Sequence, residues 1–168
     1  MKIDRIELDE VDLKLLAALQ VNAAQPNQAL ATGCGVSPAT SLRRVRRLEE
    51  LGLIERTVAL LQPDRLALAL GHGLTAIVEV SLDQQGDEHL SDFEARACLE
   101  AAVQQVYRVS PGPDFVLVVA VHDMPAYLAL AQQLFTAHRN VRHVKAYFSV
   151  KRSKFVPAQP LPPRKDRK

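Results

Sequence analysis

The stretch Gly35-Val36-Ser37-Pro38, running directly into Ala39–Leu48, constrains this chain more than any other part of it. Ser37 is an N-cap whose hydroxyl accepts an orphan backbone N–H of the first helical turn. Pro38 suits the first helical position, where its missing N–H costs nothing. Behind this start, Leu42, Val45, Leu48 and Leu51 recur every three residues and predict a buried side. Arg43, Arg44, Arg46 and Arg47 project elsewhere, with no acid among them. Near the N-terminal end, Ser37, Thr40 and Ser41 offer small polar groups that fit against base edges, with Arg43 beside them. Arg44 and Arg47 are guanidinium groups suited to phosphate. A helix entering the DNA major groove needs that combination. A solvated surface helix can look the same, so the neighbouring segments have to decide.

Upstream, Leu8-Asp9-Glu10-Val11-Asp12 opens a helix running to Gln20. Asp9 caps it, Asp12 sits in its favourable first turn, and Leu8, Val11, Leu15, Ala18 and Leu19 form its apolar stripe. A short second helix is predicted from Asn27 to Thr32, and Gly33, Cys34 and Gly35 supply a tight turn into Ser37. Three helices, the last two joined by such a glycine turn, make a helix-turn-helix. Gly52 ends the third helix, and Leu53–Leu61 reads as an extended segment, a hairpin or wing. Residues 1–61 are therefore read as a winged helix-turn-helix domain that binds double-stranded DNA.

Charge distribution supports this placement. The first 61 residues hold eight basic and eight acidic side chains, with the acids mainly in the first helix and the arginines in the third. Residues 62–150 hold six basic and ten acidic ones, and residues 151–168 hold seven and one. The middle of the chain is thus no nucleic-acid surface, and the ends are the candidates. No apolar run reaches the roughly 18 residues of a membrane span, and Met1–Arg5 leads into charge rather than the apolar core of a secretion signal. Cys34 and Cys98 stand far apart with no CxxC, as free thiols of a reducing cytoplasm would. The expected location is the cytoplasm, at the nucleoid.

After a linker over residues 62–73, a second pattern begins. Leu74–Leu82 alternates like a strand; Asp87–Ala102 has helical spacing; Val103–Val109 can be a strand. Pro111-Gly112-Pro113-Asp114 is a turn, and Phe115–Val121 is the continuous apolar run of a central strand. Met124–His138 is helical, and Val144, Ala146, Phe148 and Val150 alternate with Lys145, Tyr147, Ser149 and Lys151 in a last strand that tolerates an edge. The order, βαββαβ, predicts a ferredoxin-like domain over residues 74–155 and an α+β chain overall. In that topology the first and third strands are central, and they are the most apolar strands here. Both helices cover one sheet face. The other would carry Ile77, Tyr107, Val109 and Tyr147, for which a second copy of the chain is the simplest cover. From residue 156 onward the chain is Pro-rich and basic, and is read as a disordered tail that buries no core.

With both halves placed, the chain resembles the Lrp/AsnC (leucine-responsive, feast/famine) family of prokaryotic transcriptional regulators. The carriers are Leu8-Asp9, Ser37-Pro38, Arg44-Val45-Arg46-Arg47-Leu48-Glu49 with Gly52-Leu53-Ile54, and Val121-His122-Asp123-Met124-Pro125-Ala126-Tyr127. The resemblance implies dimers that assemble further into tetramers or octamers. It also implies a C-terminal domain that senses small molecules, commonly amino acids. Family members usually carry Gly-Asp-x-Asp-Tyr between the second and third strands of that domain. Here the ungapped match is Pro111-Gly112-Pro113-Asp114-Phe115, which keeps Asp114. By resemblance, Gly112, Asp114, Met124 and Tyr147 would line the effector pocket. Asp114 could equally hold local backbone N–H groups as a turn residue.

Haem-pathway decarboxylases share the two-domain architecture, which leaves an enzyme as the alternative. Val106-Tyr107-Arg108-Val109-Ser110 lacks the histidine those enzymes carry there, and the chain has no tryptophan, nucleophile motif or phosphate loop. No catalytic residue, metal or cofactor is expected. A DNA-bound architectural protein without a small-molecule response is the remaining alternative.

Overall fold

The computed structural model describes residues 6–71 and 73–162. They fall into two compact units, one running to Ala59 and resuming at Lys154, the other Leu60–Ser153.

The first unit holds three helices, α1 (Glu10–Val21), α2 (Asn27–Cys34) and α3 (Pro38–Glu50). A capping box starts α1: Asp12 N–H donates to Asp9 at 2.9 Å, and Asp9 N–H donates to Asp12 at 3.3 Å. Two such bonds satisfy orphan donors reciprocally. Gly35, at φ +71°, ends α2 and makes the turn into Ser37. Gly52, at φ +70°, lets Leu53 N–H reach back to Leu48 and Gly52 N–H to Glu49, closing α3. Leu15, Leu30, Cys34 and Leu48 form the core, with Val11, Leu19, Val45 and Ile54 packed around it.

The buried side of α3 differs from the expected one. Ser41 and Leu48 are fully buried and Val45 partly so, whereas Leu42 is 44% exposed and Leu51 is also exposed. A strict three-residue spacing precesses by about 60° per step on a helix of 3.6 residues per turn. Leu42 and Leu51 therefore cannot share a face, and the true stripe is the i, i+4, i+7 set Ser41, Val45 and Leu48.

The wing does not form. Residues 55–62 are irregular, and Val58, Leu60 and Leu61 are exposed. Among the described residues the segment has no adjacent strand to pair its backbone groups. The linker, conversely, is ordered into an eight-residue helix α4 (Pro63–Leu70), closed by Gly71 at φ +74°.

The second unit is a four-stranded antiparallel sheet in the order β2-β3-β1-β4, with β1 (Leu74–Leu82), β2 (Val103–Arg108), β3 (Phe115–Val121) and β4 (Val141–Phe148). Helices α5 (Asp87–Leu99) and α6 (Met124–Ala131) connect the strands, and α6 runs on into a π-helical turn, Gln132–Thr136. This is the ferredoxin-like arrangement, with β1 and β3 central. Ala76, Val78, Val80, Phe115, Leu117 and Val119 point to the helices and pack on Phe93, Tyr127, Leu130 and Phe135. Alternate residues face the other way. Register places Val118, Ile77 and Tyr147 side by side, with Tyr107 beside Val116. Ile77 is 45% and Tyr147 42% exposed on this open face.

The tail also differs from expectation. Residues 154–162 have no regular structure yet belong with the helical unit. The Gln20 side chain of α1 clasps the Gln159 backbone, accepting its N–H at 2.5 Å and donating to its carbonyl at 3.2 Å. Residues 163–168, the most basic part of the tail, lie outside the described residues.

Candidate nucleic-acid interface

Ser37 caps α3, accepting the Thr40 N–H at 3.2 Å, and the two hydroxyls meet at 2.9 Å. Ser37 is exposed and Thr40 half-buried, so this pair marks the accessible N-terminal edge of the helix. Ser41 is fully buried, its Oγ without a hydrogen-bond partner among the described residues. It is not available to a base edge, which corrects its assignment. Its small side chain fits the interior of the three-helix unit instead.

The four arginines divide into two pairs. Arg44 Nη1 lies 2.6 Å from Asp9 and 2.8 Å from Asp12, and Arg47 Nη1 lies 3.1 Å from Asp12. Arg47 also donates to the Glu7 carbonyl at 3.3 Å. The Asp12 carboxylate is 2% exposed and takes both guanidinium groups. Buried carboxylates persist when paired and hydrogen-bonded. Asp9 carries a second consequence: its carboxyl is held below its ordinary 3.8, first by the Asp12 N–H and then by Arg44, against an opposing effect of burial. Arg44 and Arg47 therefore tie α3 to α1, a role that the reading of both as phosphate contacts did not include.

Arg43 and Arg46 are exposed and have no acidic partner among the described residues. With Ala39 and Leu42 they form the outward face of α3, at helical spacing i, i+3, i+4 and i+7. Glu49 and Glu50 are exposed at the far end, so positive potential concentrates on the first two to three turns. Sequence reasoning missed Ala39, Leu42 and Arg46. The signal was there: a helical projection centred on Ser41 and Leu48 puts these residues opposite.

The effector candidates do not converge within one chain. Gly112, at φ +127°, occupies the β2–β3 turn. Asp114 braces that turn: its carboxylate accepts the Leu82 N–H at 2.7 Å, and its backbone bonds Val80 and Val109. Met124, exposed, begins α6 just beyond the other end of β3. At about 3.3 Å per residue, the seven residues of β3 separate Asp114 from Met124 by roughly 20 Å. Tyr147 stands on the open face, with Lys145 Nζ 4.8 Å from its ring centroid. A polar cleft of about 550 Å³, lined by Asp83, His89, Asp92, Arg96, His138 and Arg139, includes none of the four. Any pocket using all four must draw on more than one chain.

The fold and this exposed cationic helix face define a helix-turn-helix DNA-binding protein joined to a ferredoxin-like domain. Residues 8–49 match the AsnC-type helix-turn-helix domain, and residues 75–158 match the Lrp/AsnC ligand binding domain. The chain is 35% identical to the leucine-responsive regulatory protein of Rhizobium meliloti, over 89% of this chain and 94% of that protein. It is also 35% identical to the Bkd operon transcriptional regulator of Pseudomonas aeruginosa, over 92% and 99% of the two chains. A transcriptional regulator of Neisseria meningitidis, solved in complex with L-Met, superposes with a TM-score of 0.79 at 28% identity, covering 92% of this chain and 97% of that one. The chain belongs to the Lrp/AsnC family of DNA-binding transcriptional regulators. No described helix is long and apolar enough to cross a membrane.

Proposed function

We propose that this regulator acts in the cytoplasm, at the nucleoid, as a dimer or larger homo-oligomer. It lays the Ala39–Arg46 face of α3 in the major groove, and its DNA affinity responds to an amino acid. The carrying observation is the division of the arginines: Arg44 and Arg47 are paired with Asp9 and Asp12, while Arg43 and Arg46 stand exposed with no acidic partner among the described residues. Two such helices in a paired protein would address successive major grooves about one helical turn apart. The open sheet face around Ile77 and Tyr147 offers the pairing surface, since an apolar face of this kind needs cover.

The effector reading rests on the match to a ligand binding domain and on the L-Met complex of the Neisseria regulator. A pocket completed between chains would tie ligand occupancy to assembly, and hence to which half-sites one particle spans. One observation favours a second reading, a regulator without an effector: Asp114 is already committed to the Leu82 N–H. A thermal-shift series with the twenty amino acids separates the two, because a ligand that binds the folded protein raises its melting temperature. DNA binding itself is tested by anisotropy titration of random duplex at several salt concentrations. Affinity that does not fall with salt would refute the placement of α3.

A further inference from the structure

Leu42 is the anomaly of α3. It is a large apolar side chain, 44% exposed, on the outward face of a helix whose other exposed groups there are Ala39, Arg43 and Arg46. It does not belong to the core around Leu15, Leu30, Cys34 and Leu48. Ala39 precedes it by three residues and Arg46 follows it by four, so the three adjoin on the helix surface. An apolar tip is thus set between exposed guanidinium groups, in the helix half that Glu49 and Glu50 leave to a polyanion.

Duplex DNA presents one methyl group in its major groove, the C5-methyl of thymine, and small apolar side chains read it by contact. We infer that Leu42, flanked by Ala39, is a base-reading residue of this protein, and that it selects thymine through that methyl group while Arg43 and Arg46 hold the backbone or neighbouring guanines. The inference rests on the placement of α3 in the major groove, but its failure can be told apart from failure of that placement.

The test begins with duplexes selected from a random pool by the wild-type protein. Each thymine of a selected site is then replaced singly by deoxyuridine, which removes the methyl group and leaves every hydrogen-bonding edge intact. Wild-type protein should lose about fourfold in affinity at one thymine per half-site, the worth of one buried methyl-sized group. Leu42→Ala should bind the methylated and demethylated sites equally. Because Leu42 is largely outside the core, Leu42→Ala and Leu42→Met should both melt with the wild type, and Leu42→Met should retain sensitivity to the methyl group. Overturning results are a wild type indifferent to every thymine methyl, or a Leu42→Ala protein that keeps the full methyl dependence. The same holds for a Leu42→Ala protein whose oligomeric state changes while its methyl sensitivity does not. If the wild type bound no duplex even at low salt, both the groove placement and this inference would fall. Salt-sensitive binding without methyl sensitivity would remove only the latter.

Discussion

Arg44 and Asp12 meet at 2.8 Å across α3 and α1, with the carboxylate 2% exposed and shared with Arg47 at 3.1 Å. Removing Asp12 takes the shared acceptor from both guanidinium groups and one bond from the α1 capping box, while Arg44 keeps Asp9 at 2.6 Å. The cost is about 1–3 kcal/mol. Asp12→Ala should therefore unfold or loosen the helical unit while leaving the sheet unit folded. Hydrogen exchange resolves the two: amides of α1–α3 should lose protection and those of β1 and β3 should keep it. Equal protection in both units would show the pair to be dispensable.

The two pairs of arginines should respond differently in DNA binding. Arg43→Ala and Arg46→Ala should each flatten the slope of log affinity against log salt by about 0.9 for every phosphate left without its cation. Arg44→Ala should lower the melting temperature of the helical unit instead, with little change of slope in protein that remains folded. Salt-titrated anisotropy on the three variants checks this, and a slope change confined to Arg44 would reverse the assignment.

Acid should weaken the helical unit through Asp9. Its carboxyl is depressed below the ordinary 3.8. A group depressed in the folded state contributes stability that is complete above the unfolded value and is lost as pH falls through the lower folded value. Stability of α1–α3 should thus decline below about pH 4, the ordinary carboxylate range, and Asp9→Asn should flatten that decline. Helical circular dichroism during acid titration of both proteins is the measurement.

Ile77 lies at the centre of the open sheet face, between Val118 and Tyr147. If that face joins two copies, Ile77→Glu buries an unpaired carboxylate at the joint. The expected cost is about 3 kcal/mol or more, over a hundredfold in the dimer Kd. Light scattering should report a folded monomer, and tight DNA binding should be lost with it. A variant that stays dimeric would place the joint elsewhere.

Asp114→Ala should cost about 1–3 kcal/mol by leaving the Leu82 N–H without its acceptor. Asp114→Asn keeps an acceptor oxygen and should recover part of this. Thermal melts with and without amino acids distinguish bracing from sensing: bracing shifts the ligand-free melt, while sensing also abolishes a ligand-induced rise.

The sheet was legible because alternation and continuous apolar runs report directly on strands. The spans of β1 and β3, Leu74–Leu82 and Phe115–Val121, coincide with their sequence patterns. The Ser37 cap and the glycine stop at Gly52 were equally local. What sequence did not reveal depends on distant partners. Arg44 finds its acids 35 and 32 residues upstream, where Asp9 and Asp12 read only as helix-capping groups. Ser41 is buried although nothing in its polarity says so, and only the projection around Leu48 exposes the error. The residues after Gly52 have the composition of a strand but, among the described residues, no neighbour to pair with. The scattering of Gly112, Asp114, Met124 and Tyr147 follows from strand register, which the pattern of apolar residues does not display.

The contact between Gln20 and Gln159 brings the end of the chain back to the helical unit, since the chain departs after Ala59 and returns at Lys154 once the sheet unit is complete. Cutting such a protein after Ala59 would liberate a reading head whose core, complete by Ile54, is intact but which lacks the strap that Gln20 holds. A nascent chain has every core residue of the helical bundle before β1 is made, and gains the strap only after β4 has emerged.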